Sequence, residues 1–254
     1  MRRARIGALV ALLAAACRGP QGEPASPANT KNPVASAEGN VAAVDVAKIN
    51  EKFRHVANVG EWVANFEGNQ REIAAQRLLI AAACELSPGM RIADLGAGTG
   101  LFEPLFSTRV GPTGRVFALD ISPEFVEHLR QRAFLEALTN VDVVKCPDDA
   151  TGLPAASVDV VFVCDVYHHF EQPQKNLASI FATLKPGGRF VVIDFDRVEG
   201  KSSDFVLKHV RAGAAQFTKE ITAAGFTLER GENAEEAAKL VESWLAVFRR
   251  PAGR

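Results

Sequence analysis

The strongest chemical signal in the chain is the heptapeptide Asp94-Leu95-Gly96-Ala97-Gly98-Thr99-Gly100. Glycines at alternate positions let a backbone turn sharply and let a ligand come against the main chain. A second acid, Asp120, closes the next apolar run, where a carboxylate can accept hydrogen bonds from ribose hydroxyls. Further on, Asp165 is followed by Tyr167-His168-His169, titratable groups able to take a proton from a reacting molecule. Together these residues describe a nucleoside-type ligand held beside a place where bonds change.

The loop also says which nucleoside ligand fits. A dinucleotide fingerprint reads G-x-G-x-x-G, its third glycine packing near a helix N-terminus that holds pyrophosphate. Here the spacing is G-x-G-x-G, and Leu101 stands where that last glycine would be. Asp94 places a negative charge just before the loop, which is unfavourable beside pyrophosphate and favourable beside an ammonium group. S-adenosyl-L-methionine has ribose, adenine, a sulfonium and an α-amino group, and no phosphate. It is the expected cofactor; a nicotinamide oxidoreductase is disfavoured.

Positioning these residues requires a parallel sheet. The runs 91–96, 115–120, 141–146, 158–165 and 189–195 are apolar almost throughout, as strands covered on both faces must be. Helical patterns over 101–109, 122–138 and 172–184 separate them, with Ser122-Pro123-Glu124 a start signal and Gly187-Gly188 a stop. Residues 45–84 read as helical, as do about 203–212 and 214–224; 227–232 and 243–250 add two edge strands, the last antiparallel. The expected architecture is α/β and Rossmann-like, a mostly parallel seven-stranded sheet with helices on both faces.

At this point the sequence resembles the class I S-adenosylmethionine-dependent methyltransferases, nearest the quinone-biosynthesis and related small-molecule branch. The resemblance covers about residues 60–230 and rests on IADLGAGTG, FALDISPEFVEHL, PDDATGLPAASVDVVFVCDVYHHF and LKPGGRFVVIDF, in that order. It implies that Gly96, Gly98 and Gly100 line the methionine part, with Asp94 near its amino group. Asp120 would hold the ribose and Ile121 would pack on adenine. Asp149, in the Asp149-Ala150 pair, would accept from the adenine amine; Asp148, one position earlier, is the alternative. Asp165, His168 and His169 fall at the reacting centre, and one histidine of such a pair is expected to support the glycine loop rather than act as a base. Trp62 and Phe66, spaced i, i+4 on one helix face, serve as a lid or as core packing. His209 and Arg211 lie where the family inserts acceptor-specific elements, although a solvated helix face is the expected reading.

The N-terminus suggests another location. Arg2, Arg3 and Arg5 precede an apolar run over 6–16 and then Cys17, which resembles a lipoprotein signal and is too short to span a bilayer. The expected organisation is a signal peptide over 1–16, Cys17 with a Pro/Ala/Ser/Gly-rich tether to residue 43, and a methyltransferase domain over 44–254. That implies a protein of the cell envelope, held to a membrane only through its N-terminal lipid; plain secretion and a cytoplasmic location are the alternatives. Without the leader arginines, 26 basic residues face 30 acidic ones, and no basic patch interleaves with aromatics, so nucleic acid is not an expected partner. Cys84, Cys146 and Cys164 are too few and too far apart for a metal site, and none is expected; buried, inert thiols are. The expected activity is methyl transfer to a small-molecule or lipid-like acceptor, with an exported ligand-binding protein lacking turnover as the alternative.

Overall fold

The computed structural model describes residues 44–231 and 240–253. Signal peptide, Cys17 and tether lie outside them. Among the described residues no helix is long and apolar enough to cross a membrane.

Seven strands form one sheet in the order β3-β2-β1-β4-β5-β7-β6. They are β1 (Arg91–Leu95), β2 (Arg115–Asp120), β3 (Val141–Lys145), β4 (Val158–Cys164), β5 (Leu184–Phe195), β6 (Thr227–Arg230) and β7 (Ser243–Arg249). Neighbours from β3 through β5 pair in parallel, and β7 runs antiparallel between β5 and β6. The expected seven-stranded Rossmann-like sheet is therefore the observed one.

Both faces of the sheet are apolar, which is why its strands read as unbroken hydrophobic runs. Ala93, Val161, Val163, Phe190 and Val192 pack on one side with Leu177 and Ile180 of α7 (Pro173–Thr183) and Phe217 and Ile221 of α9 (Ala214–Ala223). Ile92, Val160, Phe162, Val191 and Ile193 pack on the other with Ile80 of α4 (Arg77–Ala83) and Phe106 of α5 (Glu103–Val110). Strand neighbours alternate between the two clusters, as the two-residue period of a strand requires. At the start of α6 (Pro123–Leu135), the Ser122 hydroxyl accepts the Phe125 N–H at 3.3 Å and Pro123 opens the first turn, as its sequence predicts.

Two boundaries differ from expectation. Gly187-Gly188 does not end a helix: α7 stops at Thr183, and β5 begins at once with Leu184 opposite Val158. Gly187 (φ +79°) instead bends β5, its N–H bonded to the Arg250 carbonyl at 2.9 Å, and the Arg250 N–H returns to Gly188 at 2.8 Å. The 45–84 stretch is also broken, into α1 (Val46–Arg54), α2 (Val59–Glu67), α3 (Glu72–Ala75) and α4. Gly68 interrupts it, where a Cβ would come within 2.8 Å of the Ala64 carbonyl. The chain turns there, leaving α2 above the sheet's carboxyl edge while α4 enters the core.

Candidate active site

β1 has β2 on one side and β4 on the other, so strand addition reverses direction at β1. A crevice must open beyond the carboxyl ends of strands at such a point. The protein has a cavity of about 640 Å³ there.

The glycine loop forms one wall. A Cβ on Gly96 (φ +82°) would lie 2.5 Å from Val166 Cγ2, so only glycine lets the loop meet the segment after β4. Val166 is thus the residue that packs on Gly96, while the partners of the two histidine rings are Asp194 for His168 and Asn50 for His169. Gly98 (φ +55°) faces Phe66, whose ring is 3.7 Å from where a Cβ would sit. Gly100 departs from expectation. Its missing Cβ would strike Leu129 and Arg132 of α6, and it does not line the cavity. It serves helix packing.

Asp120 is buried and pins the loop: Oδ2 accepts the Gly98 N–H at 2.8 Å and Oδ1 the Ser122 N–H at 2.9 Å. Burial pushes its carboxyl up to about 6, against the lowering effect of those N–H groups. Each oxygen still has a lone pair for a ligand hydroxyl. Asp94 borders the cavity, and Glu103 of α5 is buried close to it. Burial pushes Glu103 up to about 7, while burial and the Glu103 carboxylate push Asp94 well above the carboxylate range. Two carboxyls in an apolar setting suit a cationic ligand group.

Ile121, Asp148 and Asp149 border the far end. Asp148 is ion-paired with Arg54, and Asp149 lies 3.5 Å from Lys175 Nζ.

The other wall follows β4. Asp165 (φ +52°) is held by Arg71, whose Nη2 donates to its Oδ2 at 2.5 Å. Burial raises the Asp165 carboxyl above its ordinary range while the guanidinium opposes the rise. Tyr167 turns away from the cavity: its hydroxyl donates to Glu220 at 3.0 Å and its ring packs on Phe217. It cannot serve as a base for a molecule in the cavity. His168 is buried, its Nδ1 2.6 Å from Asp194 Oδ1, and His169 Nδ1 lies 2.7 Å from Asn50 Oδ1.

His209 and Arg211 do not form the expected solvated face. The His209 ring stacks on Phe205 at 4.8 Å and borders the cavity beside both histidines. Arg211 makes a bidentate pair with Glu220 at 2.7–2.8 Å, backing Tyr167. Cys84 and Cys146 are buried, and burial raises all three described thiols, as expected for inert cysteines.

Trp62 and Phe66, ring centroids 5.0 Å apart, roof the cavity together with Phe53 and Phe125. Two arginines tie this roof to the site. Arg71 Nη1 donates to the Phe66 carbonyl at 3.0 Å, and Arg132 Nη1 reaches both Glu67 (2.6 Å) and the Thr99 carbonyl (2.9 Å). Of the two expectations for α2, the lid over the cavity is the one its position matches. Arg71, Asn50, Glu103 and Val166 were not evident as site residues; only Asp194 carried a signal, an acid inside the apolar run 189–195.

Residues 93–192 match the methyltransferase domain family. Over 157 residues the chain is 33% identical to the ubiquinone/menaquinone biosynthesis C-methyltransferase of Hydrogenovibrio crunogenus, covering 59% of this chain and 62% of that protein. The protein of the same description from Pasteurella multocida is 34% identical over 110 residues, 43% of this chain and 41% of its own. The chain thus spans about three fifths or less of these relatives. In fold it is similar to an S-adenosylmethionine-dependent methyltransferase from Aquifex aeolicus, with a TM-score of 0.61 at 21% identity over 81% of this chain and 98% of that one.

Proposed function

We propose that the chain binds S-adenosyl-L-methionine and transfers its methyl group to a small-molecule acceptor. The observation that carries this reading is the glycine loop with its two acids, Asp94 and Asp120, bordering a cavity at the sheet's reversal point. The match of residues 93–192 to the methyltransferase domain family supports it.

Asp120 would hold the ribose, Asp94 with Glu103 would face the α-amino group, and Gly98 would let the methionine part approach the backbone. Ile121 would lie against adenine, with Asp149 or Asp148 accepting from its amine. The cofactor supplies a methyl group already activated by sulfonium. This chain's residues then have to align it with the acceptor and exclude water, and positioning of this kind can supply most of a rate enhancement. The roof of Trp62, Phe66 and Phe53 suits that task.

An aromatic, quinone-like acceptor is the substrate class we favour. The names of the similar C-methyltransferases and the apolar roof support it. Calorimetry with adenosylmethionine and adenosylhomocysteine tests the binding step, and methylation of quinols by purified protein tests the transfer. Binding without turnover on any acceptor would favour the exported binding protein instead.

We also propose lipid anchoring at Cys17. It rests on the leader's residue pattern alone. In a bacterial host with lipoprotein processing, wild-type protein should partition with membranes and Cys17→Ser should not carry an acyl group. An intact Met1 on soluble wild-type protein would reject export.

A further inference from the structure

His168 and His169 adjoin in sequence, His209 follows forty positions later, and the fold brings all three to one wall of the cavity. One ring nitrogen from each lies within 4.8 Å of the others. The ring centroids of His209 are 5.1 Å from His168 and 5.2 Å from His169.

Hydrogen bonds fix which nitrogens are available. Asp194 is fully buried and its carboxylate lies 2.6 Å from His168 Nδ1, so that nitrogen carries the proton. His168 Nε2 is then a bare lone pair, buried and without a hydrogen-bond partner among the described residues. At His169 the same result follows from Asn50. Its Nδ2 donates to two groups that can only accept, the His169 carbonyl at 2.9 Å and Glu171 Oε1 at 2.8 Å. Asn50 Oδ1 is therefore the acceptor for His169 Nδ1 at 2.7 Å, and His169 Nε2 is the second bare lone pair. Asp194 behind one ring and Asn50 behind the other act as the outer partners that orient histidine ligands.

We propose that His168, His169 and His209 bind one divalent first-row transition metal ion, zinc(II) by donor type, with a coordination position open to the cavity. Three imidazole nitrogens plus an open position is the ligand set of catalytic zinc. A tetrahedral site with metal–nitrogen bonds of about 2.0–2.1 Å brings its nitrogens to roughly 3.3 Å of one another. His209 can supply its share of that movement: it is half-buried, and among the described residues no hydrogen bond ties its ring. The Asp194 charge favours a cation there, and Lys52 of α1 faces His169 and His209 as the opposing charge.

The open position implies an acceptor with an ionisable phenol or enol oxygen, a conclusion that rests on the methyl-transfer reading. The oxygen would give up its proton to solvent on binding the metal, becoming an anion beside Asp165 and the glycine loop. Transfer to that oxygen, or to a ring carbon it activates, forms one bond to methyl and breaks the sulfonium–methyl bond; on the carbon route the C–H bond at that carbon then breaks and its proton returns to the oxygen. The products are the methylated acceptor, adenosylhomocysteine and one proton.

The test uses untagged full chain freed of metal with a chelator, titrated with Zn²⁺ by calorimetry and with Co²⁺ by visible absorption. One equivalent should bind, with cobalt bands of a four- or five-coordinate nitrogen site. His209→Ala, which breaks no hydrogen bond, should weaken binding by at least about 100-fold. His55→Ala should leave it unchanged, since His55 is exposed and outside the cluster. Wild-type dissociation constants above about 1 mM, or unaltered affinity in a folded His209→Ala protein, would overturn the metal site. Adenosylhomocysteine is titrated into the same preparations. Its binding without metal binding rejects the metal alone, and metal binding without it rejects methyl transfer alone.

Discussion

Arg71 Nη2 donates to Asp165 Oδ2 at 2.5 Å, joining the segment after the α2 roof to the left-handed residue that follows β4. The other Asp165 oxygen, Oδ1, is buried without a hydrogen-bond partner among the described residues. The carboxylate thus depends on one guanidinium, and the guanidinium also holds the Phe66 carbonyl.

Removing the arginine should therefore cost more than its own contacts. Arg71→Met would leave a buried charge unpaired, a loss of about 3–5 kcal/mol. Asp165→Asn added to it should restore part of that, because no charge is then left behind. Urea denaturation of the two single variants and the double variant checks this as a thermodynamic cycle. Additive losses would mean that the ion pair contributes nothing.

Asp120 holds the glycine loop and, under the proposed function, the ribose. Asp120→Ala should weaken adenosylhomocysteine binding by about 1.5–3 kcal/mol, the range for a hydrogen bond to a charged group. Gly98→Val should do worse. Its φ of +55° is strained for a branched residue, and the side chain would project toward Phe66 into the cavity. Calorimetry on folded variants decides; unchanged affinity in Asp120→Ala would remove the ribose assignment.

The scaffold was legible because strands covered on both faces must be apolar throughout. The five runs from 91 to 195 said so, and the loop between the first two carried its glycines in plain order. The parts that stayed hidden depend on tertiary placement. Nothing local marks Asn50 as the partner of His169, which lies 119 positions away. His209 looked like a solvated residue because its neighbours Lys208 and Arg211 are charged, yet the chain folds it back onto Phe205 and the histidine pair. Gly100 misled in the opposite direction. Its place in the motif suggested ligand contact, whereas Leu129 and Arg132 of α6 are what exclude a side chain there.

The Asp94–Glu103 pair gives the fold a pH dependence of predictable sign. Glu103 ionises near 4.5 in an unfolded chain and near 7 in the folded one, because burial disfavours its charge. The folded state holds the proton more tightly, so this contribution is fully present below about 4.5 and is lost as pH rises through about 7. Asp94 is shifted in the same direction and deepens the loss. Glu103→Gln cannot ionise and should exceed wild type in stability at pH 8, by on the order of 1–3 kcal/mol. Near pH 4.5 the two proteins should differ little. Thermal denaturation at both pH values checks the sign, and a difference independent of pH would reject it. A ligand ammonium beside Asp94 would supply the missing positive charge. Saturating adenosylhomocysteine should therefore stabilise wild type more at pH 8 than at pH 5, and should narrow the advantage of Glu103→Gln.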